Sequence, residues 1–417
     1  MYSYINSKKT VKSSINALQN LEGDIITDEK LIVNEINNYF KSVYIEDDKQ
    51  KPVETSPNLC EHKLPKIEFN EEDVLTRLKA LNKRKSCGYD AVSPYVLNKG
   101  ANGMAKPLYL IFQMSITDGE LPDMWKKANI TPLFKKGSRL LSSNYRPVSL
   151  TSIPCKIIEK IISVHIMKYL TDNNLLSKHQ HGFVRGKNCT TNLLEYVDII
   201  TEGLACGNSL DVLYTDFAKA FDKVSHRKLL TKIKAYVING EVLKWIECFL
   251  NDREQRVILG NNLSDWCNVS SGVPQGSVLG PLLFLLFIND LPEQTTTSTS
   301  KLYADDNKIK AKVNNENGAK SLQREINSIC EWSTKWSLNF NIEKCRIMHF
   351  GKQNNHFNYY MPIEGKDWQL SKTFTERDVG VYISDDLKWS NQINQAIAKA
   401  NSKLGLILKT FTSRDKT

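Results

Sequence analysis

The 417-residue chain has no apolar stretch able to cross a bilayer: its longest run, residues 278–288, is interrupted by Gly280 and Pro281 and falls well short of the roughly 20 residues a spanning helix needs. Residues 1–20 carry lysines but no apolar core of the kind a signal peptide needs, so neither membrane insertion nor export is expected. Cysteine is present without pattern. The nine cysteines are odd in number, scattered, and never form C-x-x-C or a Cys/His cluster with zinc spacing. They read as reduced residues of a soluble intracellular protein, nuclear or cytoplasmic. The chain also lacks internal repeats, and its one low-complexity tract is residues 295–300, a loop by composition. A G-x-S-x-G nucleophile elbow is missing, since Gly276-Ser277-Val278-Leu279-Gly280 is out of register by one residue. A P-loop is missing too, because Gly182 and Gly186 stand too close and no Ser or Thr follows Lys187. Acid is in deficit, 46 Asp plus Glu against 56 Lys plus Arg, and the resulting charge of +10 suits a polyanionic partner.

What is present suits a mixed α+β protein with a substantial core, given 41% hydrophobic residues. Leu31, Ile32, Ile36, Phe40 and Val43 recur at helical spacing, as do Val74, Leu75, Leu78 and Leu81, and predict a helical lead-in. Residues 87–152 turn to Gly, Pro and basic residues among short apolar runs and predict positively charged loops. Ile157, Ile158, Ile161, Ile162 and His165 share one helix face, and Leu193, Leu194, Val197 and Ile200 another. A strand over 210–215 ends at Asp216 and is followed by helices over 218–224, 228–237 and 242–250, then a strand near 256–259. The loop 270–277 opens an apolar helix at Val278. A hairpin spans 301–313, with its polar turn at Asp305-Asp306-Asn307. A helix over 319–332 and a further strand pair near 347–350 and 379–383 follow.

Asp216 at the end of one strand, with Asp305 and Asp306 in the turn of a hairpin, would converge if those strands are neighbours. Three carboxylates so close repel one another unless a cation joins them. Such a set suits nucleotide joining, in which a 3′-hydroxyl must be deprotonated, a pentacovalent phosphate steadied and pyrophosphate neutralised by two divalent ions about 4 Å apart. Mg²⁺ prefers carboxylate oxygens in octahedral array. An adjacent Asp pair is more often solvated turn punctuation, and the chain has a second one, Asp385-Asp386, also after a strand-like run.

The ordered surroundings separate the two pairs. Asp216-Phe217-Ala218-Lys219-Ala220-Phe221-Asp222-Lys223-Val224, then Ser271-Gly272-Val273-Pro274-Gln275-Gly276-Ser277 running on to Phe284, then Tyr303-Ala304-Asp305-Asp306 resemble the A, B and C motifs of reverse transcriptases. Leu121-Pro122 with Trp125, Lys135-Lys136-Gly137, and Tyr145-Arg146-Pro147-Val148-Ser149-Leu150 resemble the jockey-like branch of non-long-terminal-repeat, LINE-type retrotransposons. The stretches around Asn341 to Phe350 and Val379 to Ile383 resemble that group's motifs D and E. The resemblance covers roughly residues 80–390. It implies a right-hand polymerase palm and fingers with a helical amino-terminal extension and a truncated thumb: residues 1–115 the extension, 116–384 the reverse transcriptase domain (fingers about 116–205, palm about 206–384), and 385–417 the start of the thumb. It implies RNA-directed DNA polymerisation from deoxynucleoside triphosphates on an RNA template and DNA primer.

Carried over residue by residue, the resemblance makes Asp216, Asp305 and Asp306 the catalytic carboxylates holding two Mg²⁺ ions, with Mn²⁺ as a substitute and the backbone carbonyl of Phe217 as a further ligand. Phe221 would lie under the sugar of the incoming nucleotide and exclude a 2′-hydroxyl. Gln275 and Gly276 would floor the new base pair, Lys344 would donate a proton to pyrophosphate, and Arg146 would meet phosphates. One finger motif departs from the family: Val184, in Gly182-Phe183-Val184-Arg185-Gly186-Lys187, stands where arginine is usual. Either Arg185 or Lys187 takes over its task, or this copy is impaired. The family's endonuclease, a Cys/His knuckle and most of a thumb are not expected in these 417 residues, which read as truncated at both ends. Two alternatives stay beside the polymerase: a catalytically impaired remnant that only binds nucleic acid, and a group II intron-type maturase.

Overall fold

The computed structural model describes residues 15–20, 22–46 and 58–410. Residues 1–14 of the stretch read for a signal peptide, 47–57 of the lead-in, and 411–417 of the expected thumb lie outside the described residues. Near the start, β1 (Leu18–Gln19) pairs with β2 (Ile25–Ile26). The helix Glu29–Val43 follows, capped by Asp28, whose carboxylate accepts the Leu31 N–H at 2.9 Å. Ile32, Val33, Ile36 and Phe40 form its buried stripe and meet Ala128, Ile130, Tyr145 and Val257 in a core of their own. Leu31, on the same predicted stripe, is exposed. The helix Glu71–Lys79 opens on a capping box between Asn70 and Asp73 and buries Val74 and Leu78.

Residues 87–152, where the sequence predicts basic loops, are mostly regular. The helices Pro94–Lys99 and Ala101–Asp118 fill the first half. Ala101, Ala105, Leu108, Phe112 and Ile116 are buried along one face of the second, which ends at Gly119 with φ +72°. Gly103 and Pro107 are poor helix formers that blur this period in the sequence, and burial of the stripe outweighs them. Next come β3 (Lys127–Phe134) and β4 (Tyr145–Leu150), antiparallel from Asn129↔Leu150 to Phe134↔Tyr145, so that Lys135-Lys136-Gly137 falls in their connection.

Beyond the helices Ile153–Asp172 and Cys189–Ala205 lies β5 (Leu210–Thr215), every residue of which is buried. The helix Cys189–Ala205 turns inward Asn192, Tyr196 and Ile200, while Leu194 faces solvent, a face rotated from the one its leucines suggest. After β5 the expected helix over 218–224 is absent. The segment is a series of turns with Lys219 at φ +57°, tied to its surroundings by long-range bonds that a continuous helix could not make. The helices His226–Ala235 and Gly240–Leu250 lead to β6 (Arg253–Leu259), β7 (Asn262–Leu263) and β8 (Cys267–Val269). β6 returns to lie parallel to β3, giving a sheet ordered β4-β3-β6-β7 with β8 on β6.

The apolar helix Gly280–Ile288 is buried on all sides and belongs to the core. No helix among the described residues is long and apolar enough to cross a membrane. Then come β9 (Thr299–Tyr303), β10 (Asp306–Lys312), the helix Glu316–Trp336 and β11 (Arg346–Phe350). A hairpin of β12 (Tyr360–Ile363) with β13 (Lys366–Gln369) precedes β14 (Ser371–Lys372). These strands build the second main sheet, β14-β11-β5-β10-β9, with β5 at its centre. β15 (Thr375–Asp378) and β16 (Val381–Ser384) form a separate hairpin, so the two strands expected to pair near 347–350 and 379–383 lie in different sheets. The helix Ser390–Thr410 closes the described chain. The fold is a mixture of helices and sheets, as the α+β reading requires.

Candidate active site

β5 and β10 are antiparallel neighbours, with Thr215 opposite Asn307. Asp216, the residue after β5, therefore lies beside the turn that joins β9 to β10. That turn has Ala304 and Asp305 at its tip, while Asp306 pairs with Tyr303 and already belongs to the strand. Two-residue hairpin turns need left-handed backbone, which Ala304 supplies at φ +56°. The buried Gln180 holds the turn, its side-chain oxygen accepting the N–H of Ala304 at 3.1 Å and of Gly182 at 2.7 Å. Residues 179–181 run along β9, with His181 N donating to Leu302 O at 2.9 Å and Leu302 N to His179 O at 3.0 Å. A Cβ on Gly182 would collide with the backbone nitrogen of Ala304. Gln180 is a support that sequence reasoning misses, because nothing local marks its partner.

Burial and neighbouring charge act on the two hairpin carboxylates. The Asp306 carboxyl is pushed up to about 7, first by burial and then by Asp305, Asp216 and Asp378. Asp305 is raised by burial and by Asp216, while Lys135 and Arg146 oppose the shift. Lys344 forms an ion pair with Asp216. The Lys135 ammonium is held below its ordinary value by desolvation, then by Arg146 and Lys344. A cationic rim of Lys135, Arg146 and Lys344 thus faces an anionic centre. Among the described residues no three His, Cys, Asp or Glu side chains already surround a point as metal ligands do, and Asp216 is turned onto Lys344. The donor set still fits a divalent cation, because crowded carboxylates that resist ionisation are relieved by one.

Around this centre the structure brings together most of the other candidates. The backbone of Phe217 bridges Phe340 across an isolated antiparallel pair, and the two rings stack at 4.5 Å between centroids. Phe221 lies in the turn segment, half-buried, stacked on Phe284 at 4.4 Å with Phe183 edge-on at 6.3 Å. Gln275 O accepts Ser149 N–H at 2.8 Å, and its side-chain Nε2 donates to Asp222 at 2.7 Å. Gly276, at φ +130°, passes so close to β4 that a Cβ would stand 2.5 Å from Ser149 O. Arg146 projects, exposed, from β4. Arg185 is exposed, whereas the Lys187 ammonium donates to the carbonyls of Lys178 at 2.5 Å and Gln180 at 3.0 Å and so braces its own loop. The second acidic pair stays apart: Asp385 and Asp386 line a different cavity with His349 and His356, and Asp386 accepts the Lys388 N–H at 2.9 Å, as turn residues do.

The sequence matches a family profile described as Reverse transcriptase (RNA-dependent DNA polymerase) over residues 133–381. It is 29% identical over 291 residues to "Probable RNA-directed DNA polymerase from transposon BS" of Drosophila melanogaster, covering 67% of this chain and 32% of that protein. It is 24% identical over 359 residues to "Probable RNA-directed DNA polymerase from transposon X-element" of the same species, covering 85% and 39%. Its identity to the "RNA-directed DNA polymerase from mobile element jockey" of Drosophila melanogaster is 27% over 299 residues, covering 70% and 32%. The chain spans about a third of the length of these curated relatives.

Proposed function

Since the chain belongs to the reverse transcriptase (RNA-dependent DNA polymerase) family, we propose that it is the polymerase portion of a jockey-like, LINE-type retrotransposon protein. It extends a DNA primer on an RNA template with deoxynucleoside triphosphates, wherever in nucleus or cytoplasm that RNA resides. The observation that carries this reading is the β5–β10 register, which sets Asp216 beside Asp305 and Asp306 under a cationic rim. The central sheet would be the palm. The β4-β3-β6-β7 sheet with its covering helix would be the fingers, which then draw in residues 253–269 from a later part of the chain as well as residues 116–205. Residues up to 115 would be the extension, and those from 385 the start of a thumb.

Divalent ions serve this family generally, and here Asp216, Asp305, Asp306 and the Phe217 carbonyl would hold two Mg²⁺, or Mn²⁺ in their place. When bound they would favour the ionised 3′-hydroxyl and neutralise pyrophosphate. With Asp216 neutralised in that way, Lys344 would be released from its ion pair there and available to protonate the leaving pyrophosphate. Arg146 and Lys135 meet triphosphate oxygens, and Arg146 can do so bidentately. The Phe221 ring, braced by Phe284, stands against the sugar. Gln275 and Gly276 floor the nascent pair.

Purified protein with Mg²⁺, a primed RNA template and deoxynucleotides should make template-length-dependent DNA products. Tight binding of the heteroduplex without any extension would favour the impaired remnant. That second reading draws on the use of the Lys187 ammonium within its own loop, which leaves Arg185 alone to replace the arginine absent at Val184.

A further inference from the structure

The turn segment after β5 and the loop before the helix Gly280–Ile288 are stitched together along their length. Val273 N donates to Phe221 O at 2.8 Å, Gly272 N to Val224 O at 2.8 Å, and the Ser271 hydroxyl to Asp222 O at 2.8 Å. A ring nitrogen of His226 lies 2.7 Å from Gly272 O. In the middle stands Asp222, 9% exposed, whose carboxylate accepts the Gln275 side-chain N–H at 2.7 Å. It is not one of the three carboxylates at the strand ends. With Tyr44, Ser149, Arg253, Gln255 and Gln275 it lines a small, partly open space.

A buried carboxylate is an expensive stitch where backbone bonds already join the same two segments. What it adds is direction. An ionised carboxylate only accepts hydrogen bonds, so it selects the Nε2 end of the Gln275 amide and leaves the amide oxygen and the second N–H for other partners. We propose that Asp222 is a positioning residue that fixes the orientation of the Gln275 amide for the incoming nucleotide, an inference that rests on the polymerase reading above. Around Asp222 stand the Gln275 amide, Lys219 and Arg146, which favour its ionised form, the Tyr44 phenol, and Arg253 and Glu254 on the lining of the same space. Burial outweighs the Gln275 hydrogen bond and the two cations and raises the carboxyl to about 6. A protonated Asp222 can donate as well as accept, so the amide is no longer held one way round.

The first test needs no turnover. The side-chain amide resonance of Gln275, followed between about pH 5 and pH 8, should titrate with a midpoint close to that of Asp222 and should be flat in Asp222→Asn. A flat trace in the unaltered protein overturns the inference. The second test is steady-state primer extension. Asp222→Asn keeps the volume but satisfies the amide in either orientation, and should raise KM for the deoxynucleotide about tenfold, the scale of one hydrogen bond to a charged group, with kcat within about twofold. The pH dependence of KM near 6 should vanish with it. Active Asp222→Asn protein with an unchanged KM and pH profile refutes the positioning role. An amide that titrates in a protein unable to copy any template would instead refute the polymerase reading and leave the Asp222–Gln275 coupling standing.

Discussion

Asp216, Asp305 and Asp306 are carboxylates of one kind that the backbone holds in three ways: past a strand end, in a hairpin turn, and at a strand start. Asn substitution at any of them removes charge and keeps volume. Each is expected to reduce extension by more than about 100-fold, above the cost of losing a partner that merely orients a ligand, while the melting temperature holds or rises. Normal turnover by Asp305→Asn would sink the assignment of that pair. Asp385→Asn and Asp386→Asn, in the other acidic pair, should leave the rate nearly unchanged. At Phe221 the relevant property is size. Its ring is held by Phe284 on one face, so under the proposed function a sugar hydroxyl would meet a surface with little room to retreat. Phe221→Val should raise ribonucleotide incorporation relative to deoxynucleotide at least tenfold, about 1.4 kcal/mol of differential binding. A fall in rate with no change in sugar preference would mark a packing residue instead.

Elements reach the site through close approaches. The hairpin β9–β10 is propped by residues 179–182, and Gly182 permits the contact because it has no Cβ. Gly182→Ala should displace the Asp305 turn and depress kcat by about tenfold or more, with a loss of about 1–3 kcal/mol in denaturant stability. An alanine variant with wild-type kcat would show that the turn does not depend on this prop. Away from the site, Lys232 pins three helices: its ammonium donates to Phe287 O at 2.6 Å and Asp290 at 2.5 Å, and lies 3.9 Å from the Trp336 ring centre and 4.6 Å from that of Trp332. Burial lowers its pKa from 10.5 to about 8, against the pull of Asp290. Between those values the unfolded chain binds more protons than the folded one, so this group makes stability rise with pH across that window and adds no slope below it. Lys232→Met removes the titrating group and should abolish that rise. Urea midpoints on either side of pH 8 measure it, and an equal slope in the two proteins would refute the assignment.

At the scale of the whole molecule, the charge of +10 suits a polyanionic partner, and Lys135, Arg146 and Lys344 gather beside the three carboxylates. Affinity for a primed template should fall steeply with salt. Lys135→Gln with Arg146→Gln should raise KM for the deoxynucleotide by about tenfold or more, since these cations meet the triphosphate, and an unchanged KM would remove them from that role. The sequence by itself determined the properties that reside in residue type and local spacing. Among them are the strand that ends before Asp216, the fully apolar helix that begins two residues after Val278, the β9–β10 hairpin, and the motifs that mark the family. It misled where local preference and long-range bonding disagree. Ala218 to Val224 has helical composition, yet bonds to Asn339 and to the 271–273 loop hold it in turns, and Gly103 and Pro107 hide a helix stabilised by its buried stripe. Only the tertiary structure decided that β5 lies against β10, that Gln180 and Gly182 support the hairpin, that Lys187 is spent within its own loop, and that Asp222 faces Gln275. Each of these joins residues through a contact whose energy depends on both partners at once, and neither partner alone carries a mark of the other.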